Sequence, residues 1–135
     1  MTEEGGTGPV RNRTRSWNAL KSGYHAVSGL MWVAPRTPSL KLGVAVVAVL
    51  VGLGVLLRLP PVQIAVLVLA GTGVLAVETV NTAIEMLCDH VEPGHHPQIG
   101  KVKDVAAGAT VITEVGVALV VVLLLGPAAW RALGH

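Results

Sequence analysis

The fold is decided by residues 62–89, whose sequence is VQIAVLVLAGTGVLAVETVNTAIEMLCD. The first part of this stretch, Val62 to Val77, carries no charged residue, and polar side chains then recur at helical spacing. At about 100° per helical residue, a single stripe on one face of the helix contains Glu78, Asn81, Thr82, Glu85 and Asp89. We call these five residues the polar stripe. Ionisable groups at membrane depth are costly, so such a stripe usually marks a pathway or a reaction site. The alternative is a polar seam that holds helices together.

The composition indicates an integral membrane protein. Of the 135 residues, 52% are hydrophobic and only 13% are charged, and the mean hydropathy is +0.65. A chain of this length has room for one domain, and these values are too apolar for a soluble one. Aromatic rings prefer membrane interfaces. The aromatic residues all lie just outside the apolar runs, at Trp17, Tyr24, Trp32 and Trp130.

The charge and the cysteine content exclude two further kinds of interpretation. The net charge of +2 could suit a nucleic-acid partner. However, the basic residues segregate by membrane side, so no nucleic-acid partner is expected. The lone Cys88 cannot form an internal disulfide. It also lies off the polar stripe, which indicates a packing role.

Periodicity and helix breakers divide the chain into one surface helix and three spanning helices. Residues 1–13 are polar and glycine-rich and are predicted to be a disordered tail. Within residues 16–32 apolar side chains recur every three or four positions, which predicts an amphipathic helix on the membrane surface. Residues 91–103 are predicted to be a loop, and Asp104 is expected to cap the last helix. The predicted spanning helices are residues 41–58, 62–90 and 104–126, and a short tail follows at 130–135.

The basic residues also predict the orientation in the membrane. Arg58 and Arg131 fall on one side of the spanning helices, and the other lysines and arginines fall on the opposite side. Because cytoplasmic loops carry an excess of Lys and Arg, the N-terminus, the surface helix and the second loop are expected in the cytoplasm. Glu78 lies about 24 Å along its helix from Val62, so the polar stripe begins at the cytoplasmic interface. A lipid headgroup and a water-soluble reactant can both reach that depth.

The polar stripe contains the groups that phosphoryl transfer requires. Two carboxylates two helical turns apart, with an amide between them, can hold Mg²⁺, which completes its coordination with water and phosphate. A third acid beside the metal could accept the proton of an alcohol nucleophile. Lys101 and Lys103 could hold phosphate charge, and positioning and charge neutralisation carry most of the catalysis in this reaction. The sequence contains no Walker-type or kinase-type glycine-rich loop.

Several segments together resemble one known family. They are Ser16-Trp17 to Gly23, His25-Ala26-Val27, Glu78-Thr79-Val80-Asn81-Thr82-Ala83-Ile84-Glu85, Asp89, His96-Pro97 and Lys103-Asp104-Val105-Ala106-Ala107-Gly108-Ala109. The chain resembles the bacterial integral-membrane diacylglycerol kinase family, and most of all its undecaprenol kinase branch. The similarity extends from about Arg15 to Leu125.

The resemblance implies a homotrimer of three-span protomers in the bacterial cytoplasmic membrane, with a lipid kinase-like domain over residues 14–129. It implies that the protein uses MgATP to phosphorylate a lipid alcohol, either undecaprenol or diacylglycerol. By position, Glu78 would be the general base, and Glu85 would bind Mg²⁺ with help from Asn81. The residues implied to contact the nucleotide are Glu85, His96, Lys103 and Asp104, with Asp89 in a supporting role.

The sequence departs from the family pattern at one position that matters for the metal. The resemblance implies a second metal-binding glutamate at the end of the surface helix, but no Asp or Glu occurs between Glu4 and Glu78. A catalytically impaired homologue that binds lipid or acts as a scaffold is therefore the alternative function. A third hypothesis is a small oligomeric ion pathway lined by Glu78, Glu85 and Glu114. Glu114 has no counterpart in the family pattern.

Overall fold

The computed structural model describes residues 15–134, and it describes side chains from Lys21 onward. The disordered tail predicted for residues 1–13 lies outside the described residues. Contacts divide the chain into two compact units, with the boundary between Trp32 and Val33. Every regular element in the described part is an α-helix, which confirms the predicted all-α fold.

The first helix, α1, covers Arg15–Val33. It confirms the helix predicted for residues 16–32, where the apolar side chains recur at helical spacing. Within α1 the rings of Tyr24 and His25 meet edge to face, with their centroids 5.7 Å apart. The location of α1 on the membrane surface stays a prediction.

The second unit contains three longer helices, which are α2 at Pro38–Leu56, α3 at Pro61–Val91 and α4 at Pro97–Ala132. Each begins with a proline, which suits the first helical position because the N–H that proline lacks would have no partner there. All three helices are long and apolar enough to cross a membrane, as predicted. At 1.5 Å per residue α3 and α4 measure about 46 and 54 Å, so both exceed the ~30 Å hydrocarbon core of a bilayer.

The start of α4 corrects one prediction. The residues expected to form a loop up to position 103 are largely helical, because α4 begins at Pro97 rather than at 104. His96 is the N-cap residue, and its Nδ1 accepts a hydrogen bond from the backbone N–H of Gln98 at 3.3 Å. Asp104 therefore lies within α4 and does not cap it. The proline that was interpreted as a breaker instead starts the helix.

The end of α4 also differs from the prediction. The helix was expected to end at Gly126, but it continues through Pro127 to Ala132 and includes the first half of the predicted tail. Proline is tolerated inside membrane helices because nearby groups satisfy the freed backbone atoms. Near the end of the helix, Arg131 Nε donates to the carbonyl oxygen of Pro127 at 3.2 Å.

Two backbone hydrogen bonds in the turn between α2 and α3 cap the C-terminal end of α2. The N–H of Leu59 donates to Gly54 O at 2.9 Å, and the N–H of Arg58 donates to Val55 O at 3.0 Å. This pattern is a Schellman motif, which requires a left-handed residue. Arg58 takes that conformation with φ at 55°, although glycine is the usual residue there. Leu59, the residue that follows, is buried in the core.

Helix α3 is central in this unit and packs against both α2 and α4. The main apolar core lies at the end of the unit next to the α2–α3 turn, where the buried side chains are Leu59, Leu67, Leu125 and Ala128. Between α2 and α3 the helices approach closely at two glycines. A Cβ added at Gly43 would lie 2.9 Å from Leu75 Cδ2, and one added at Gly71 would lie 2.7 Å from Val47 Cγ2. Small residues at such contacts are how membrane helices pack without a hydrophobic driving force.

The contact at Gly71 generates a stability prediction. Gly71→Ala is expected to destabilise the unit by about 1–3 kcal/mol, because valine is stiff at χ1 and Val47 cannot rotate away without a shift of α2. Gly73→Ala on the same helix is the control, since no heavy atom lies within 4 Å of its added Cβ. Thermal unfolding of the detergent-solubilised protein measures both. Val47→Ala should restore stability in the Gly71→Ala background, and equal melting temperatures for the two glycine variants would contradict the prediction.

Candidate active site on the polar stripe

The best-defined polar contact of the site joins two residues of the polar stripe on α3. Asn81 Nδ2 donates a hydrogen bond to Glu85 Oε1 at 3.2 Å. Asn81 is only 8% exposed, and its Oδ1 has no hydrogen-bond partner among the described residues. A buried polar atom without a partner costs free energy. This oxygen is therefore suited to a cation or to a hydrogen-bond donor that the described chain does not supply.

The threonines near the stripe are satisfied by their own helix. Thr82 Oγ1 donates to the carbonyl oxygen of Glu78 at 3.0 Å, and Thr79 Oγ1 donates to that of Leu75 at 2.7 Å. A hydroxyl that bonds the carbonyl one turn earlier is not available as a donor to a ligand. The reactive groups of the stripe are thus its carboxylates and the Asn81 amide.

Glu78 lies at a groove between the three helices of this unit. The groove has a volume of about 360 Å³, and it is lined mainly by aliphatic side chains and glycine. Glu78 is half-buried there, and a second acid, Glu114 of α4, lines the same groove. A carboxyl group beside an apolar groove suits a reaction with the polar end of an otherwise apolar molecule.

An ion pair joins the polar stripe to α4. Lys103 Nζ donates to Asp89 Oδ1, and both side chains keep part of their surface exposed. Exposed ion pairs contribute little to stability and are screened by salt. Lys103 can therefore leave Asp89 for another anion, such as a phosphate group, at small cost.

Two other residues expected in the site lie apart from these contacts. His96 is exposed, and its ring forms the N-cap of α4. Asp104 is exposed, and it makes no hydrogen bond or ion pair with another residue of the described part. Within residues 21–134 no three histidine, cysteine, aspartate or glutamate side chains are close enough to hold a metal ion.

Comparison with known proteins shows which family the chain belongs to. The family model of prokaryotic diacylglycerol kinases matches residues 24–125. The chain belongs to this family. It is 30% identical over 96 residues to the undecaprenol kinase of Bacillus subtilis (strain 168), and the aligned region covers 71% of this chain and 78% of that protein. Both findings support a lipid kinase activity, and with three helices long enough to span a bilayer they support a bacterial inner-membrane protein.

The donor set on α3 fits the metal that the resemblance to this family implies. Mg²⁺ prefers hard oxygen ligands and often takes only one or two carboxylates, with water and phosphate completing its shell. The unpartnered Oδ1 of Asn81 and the carboxylate of Glu85 are such oxygens, and the hydrogen bond between the two side chains already brings them together. The second metal-binding glutamate that the resemblance implies at the end of the surface helix has no counterpart, because no Asp or Glu occurs between Glu4 and Glu78.

The sequence brought Glu78 and Glu114 together only in the hypothesis of an oligomeric ion pathway, and it did not predict that both residues line one groove within a single chain. Equal separations in the sequence reveal it once one contact between the two helices is known. That contact joins Asp89 on α3 to Lys103 on α4 in an antiparallel hairpin. Eleven residues before Asp89 comes Glu78, and eleven residues after Lys103 comes Glu114. The two glutamates are therefore level with each other along the helices. The signal depends on knowing that α4 begins at Pro97, which the expected loop concealed.

The ion pair generates a prediction about what holds α3 against α4. Asp89→Asn, Lys103→Met and the double variant are each expected to shift the melting temperature by no more than a few degrees, because the pair is exposed. Ala106→Leu, at a buried position on α4, is expected to destabilise far more by overpacking. Thermal unfolding in detergent tests this ranking. An Asp89→Asn protein less stable than Ala106→Leu would show that the ion pair, and not packing, holds the hairpin.

Proposed function

We propose that this protein transfers the γ-phosphoryl group of ATP to the hydroxyl of a membrane lipid alcohol, at the cytoplasmic interface of the inner membrane. The observation that carries the proposal is the location of Glu78 at an apolar groove, on the same helical stripe as the hydrogen-bonded Asn81–Glu85 pair. One end of this stripe suits a lipid, and the other suits a phosphate-bound cation. Family membership supports the same class of reaction.

In this proposal Glu78 is the general base. Its carboxylate takes the proton of the lipid hydroxyl while the hydroxyl oxygen forms a bond to the γ-phosphorus of ATP. The bond from that phosphorus to the bridging oxygen breaks, and ADP leaves with the electron pair. Little covalent chemistry falls to the protein in such a transfer, so positioning and charge neutralisation dominate. The groove positions the acceptor, because its aliphatic walls can hold hydrocarbon while Glu78 meets the hydroxyl.

Asn81 and Glu85 are the proposed metal ligands. These two residues would hold Mg²⁺, whose positive charge would offset the negative charge that develops on the phosphoryl group during transfer. The chain's own part is to hold the two oxygens in place, and the hydrogen bond from Asn81 Nδ2 to Glu85 Oε1 does this while Asn81 Oδ1 stays unpaired. Asn81 Oδ1 is buried and receives no hydrogen bond within the described residues, and coordination to a cation would satisfy this otherwise unpartnered oxygen.

Lys103, Asp104 and His96 are the proposed nucleotide contacts, together with Glu85. Lys103 is suited to this because its partner Asp89 is exposed and replaceable. A phosphate oxygen would take the place of the Asp89 carboxylate at Lys103 Nζ, and Asp89 would keep the lysine in position until then.

We further propose a homotrimer with the N-terminus in the cytoplasm. The many exposed aliphatic side chains of α2 to α4 provide apolar surface for lipid and for neighbouring protomers.

Transfer of labelled phosphate tests the proposed reaction. Purified protein in mixed micelles is given MgATP, with undecaprenol and diacylglycerol offered separately. Wild-type protein is expected to label a lipid. Glu78→Gln is expected to lower kcat by about 10²- to 10⁴-fold, because the general base is lost. Glu85→Gln is expected to lower activity and to raise the Mg²⁺ concentration that activity requires. Glu92→Gln is the matched control, since Glu92 lies after α3 and its Oε1 accepts only the Gly94 N–H in the described part.

The controls separate failure of the reaction from failure of folding. Trimer mass by light scattering should be the same for all four proteins. Wild-type activity in Glu78→Gln would refute the assignment of the base. A folded wild-type trimer that labels no lipid alcohol would favour the alternative function, a catalytically impaired homologue that binds lipid or acts as a scaffold.

A second experiment tests the metal ligands without turnover. Addition of Mg²⁺ should raise the melting temperature of wild-type protein, because a ligand at 100 times its Kd stabilises the folded state by about 2.7 kcal/mol. Asn81→Leu should be at least as stable as wild type without Mg²⁺, since it removes a buried unpaired oxygen. It should show little stabilisation when Mg²⁺ is added. Full stabilisation of Asn81→Leu by Mg²⁺ would exclude the amide as a ligand.

A further inference from the structure

The groove beside Glu78 is polar at one end only. Its residues nearest the polar end are Ser39 of α2, Glu78 of α3 and Glu114 of α4, and those at the far end are Leu50, Gly71 and Val121. We call the first three residues the groove mouth. The three helices thus each contribute one polar side chain at the mouth and aliphatic side chains or glycine below it.

Helix register establishes that the three mouth residues are level. Gly43 of α2 lies against Leu75 of α3, so Ser39, one turn before Gly43, lies near Glu78, one turn after Leu75. Glu114 is level with Glu78 because both are eleven residues from the Asp89–Lys103 pair. From the mouth the groove extends about 10 Å along α3 and about 16 Å along α2.

The groove therefore matches an amphipathic molecule with its polar end at the mouth and hydrocarbon below. Neither the carboxylate of Glu78 nor that of Glu114 makes a hydrogen bond or ion pair with another residue of the described part. Ionisable side chains at membrane depth are costly, and they usually face a partner, a water-filled cavity or a substrate site. A packed neighbouring protomer would close the groove to the acceptor, whereas the proposed reaction needs the acceptor at Glu78. The occupant that fits is the lipid acceptor itself.

The number of carboxyl groups at the mouth restricts which lipid alcohol fits best. A lone hydroxyl has one proton, and in the proposed reaction that proton goes to Glu78. With an acceptor of this kind, such as a polyprenol, Glu114 would face bare hydrocarbon. With a diacylglycerol it would face ester oxygens, which accept hydrogen bonds and are repelled by a carboxylate. An acceptor with a second O–H or N–H beside the reacting hydroxyl supplies the missing donor.

We propose that Glu114 is a specificity-determining residue that accepts a hydrogen bond from a second donor on the lipid acceptor. The groove then selects lipids with a hydroxyl or an amide N–H next to the reacting hydroxyl, of which a monoacylglycerol is the simplest. This inference rests on the proposed function, because it takes Glu78 as the group that meets the reacting hydroxyl. Glu114 contacts substrate but takes no part in the proton transfer.

A matched pair of acceptors tests the inference. 1-Oleoylglycerol has a second hydroxyl next to the primary one, and its 2-O-methyl ether has the same primary hydroxyl and the same chain but lacks that donor. Wild-type protein is expected to show a kcat/KM about 10-fold or more higher for the diol, since a hydrogen bond to a charged group is lost with the ether. In Glu114→Leu the ratio should fall to about one, while KM for MgATP stays at the wild-type value.

Two further variants separate recognition from a structural effect. Glu114→Gln retains an accepting oxygen and should keep part of the preference for the diol. Val115→Leu, on the same helix but outside the groove lining, should keep all of it. An unchanged ratio in Glu114→Leu, or a wild-type protein that treats the two acceptors alike, would overturn the inference.

A binding measurement distinguishes this inference from the proposed reaction. Without nucleotide, the diol should raise the melting temperature of wild-type protein more than the ether does, and Glu114→Leu should lose the difference. If this difference is seen but no lipid is phosphorylated, the proposed kinase reaction is wrong while the recognition by Glu114 stands. If lipids are phosphorylated but the difference is absent, the kinase stands and the role of Glu114 is wrong.

Discussion

The antiparallel packing of α3 against α4 decides which polar side chains can meet. The two helices are joined by a turn of only five residues, from Glu92 to His96. Because this connection is short, the helices have little freedom to slide along each other. Asp89 and Lys103 face each other at the exposed end of this hairpin. From that point the polar stripe follows α3 towards the membrane interior, and α4 runs alongside it. The ion pair marks the register, whereas packing along the two helices maintains it.

Close packing of α2 against α3 shapes the other side of the groove. Gly43 and Gly71 admit the side chains of Leu75 and Val47, so α2 and α3 approach closely at two points along one side of the groove. In a bilayer, apolar surface gains little from leaving lipid, and fit between helices must provide the association energy. The same glycines that allow the contact line the groove. Stability and the shape of the groove therefore depend on the same residues.

The sequence predicted the presence of the helices better than the residues at which they end. It also predicted which polar residues belong to the site better than which of them contact each other across helices. Three charge-poor runs were sufficient to predict three spanning helices, because a bilayer imposes length and apolarity on any spanning segment. The predicted ends of α4 were wrong at both Pro97 and Pro127, because a proline can start a helix or lie inside one as well as end it. Helical geometry placed Asn81 and Glu85 on one stripe, and the family resemblance implied that they bind the metal together. The contact of Asp89 with Lys103 and the shared groove of Glu78 and Glu114 depend on register between helices, which periodicity within one helix does not contain.

The absent surface-helix carboxylate bears on the affinity of the proposed metal site more than on its existence. Mg²⁺ that arrives with ATP already has phosphate oxygens in its shell, and it needs one or two protein oxygens besides water. Asn81 Oδ1 and the Glu85 carboxylate can supply those two, and Asn81 is held in place by burial and by its bond to Glu85. A neutral amide contributes less charge than a carboxylate, so the site would hold Mg²⁺ more weakly when no nucleotide is present. Metal and nucleotide would then bind best together, because the triphosphate provides the negative charge that the chain does not.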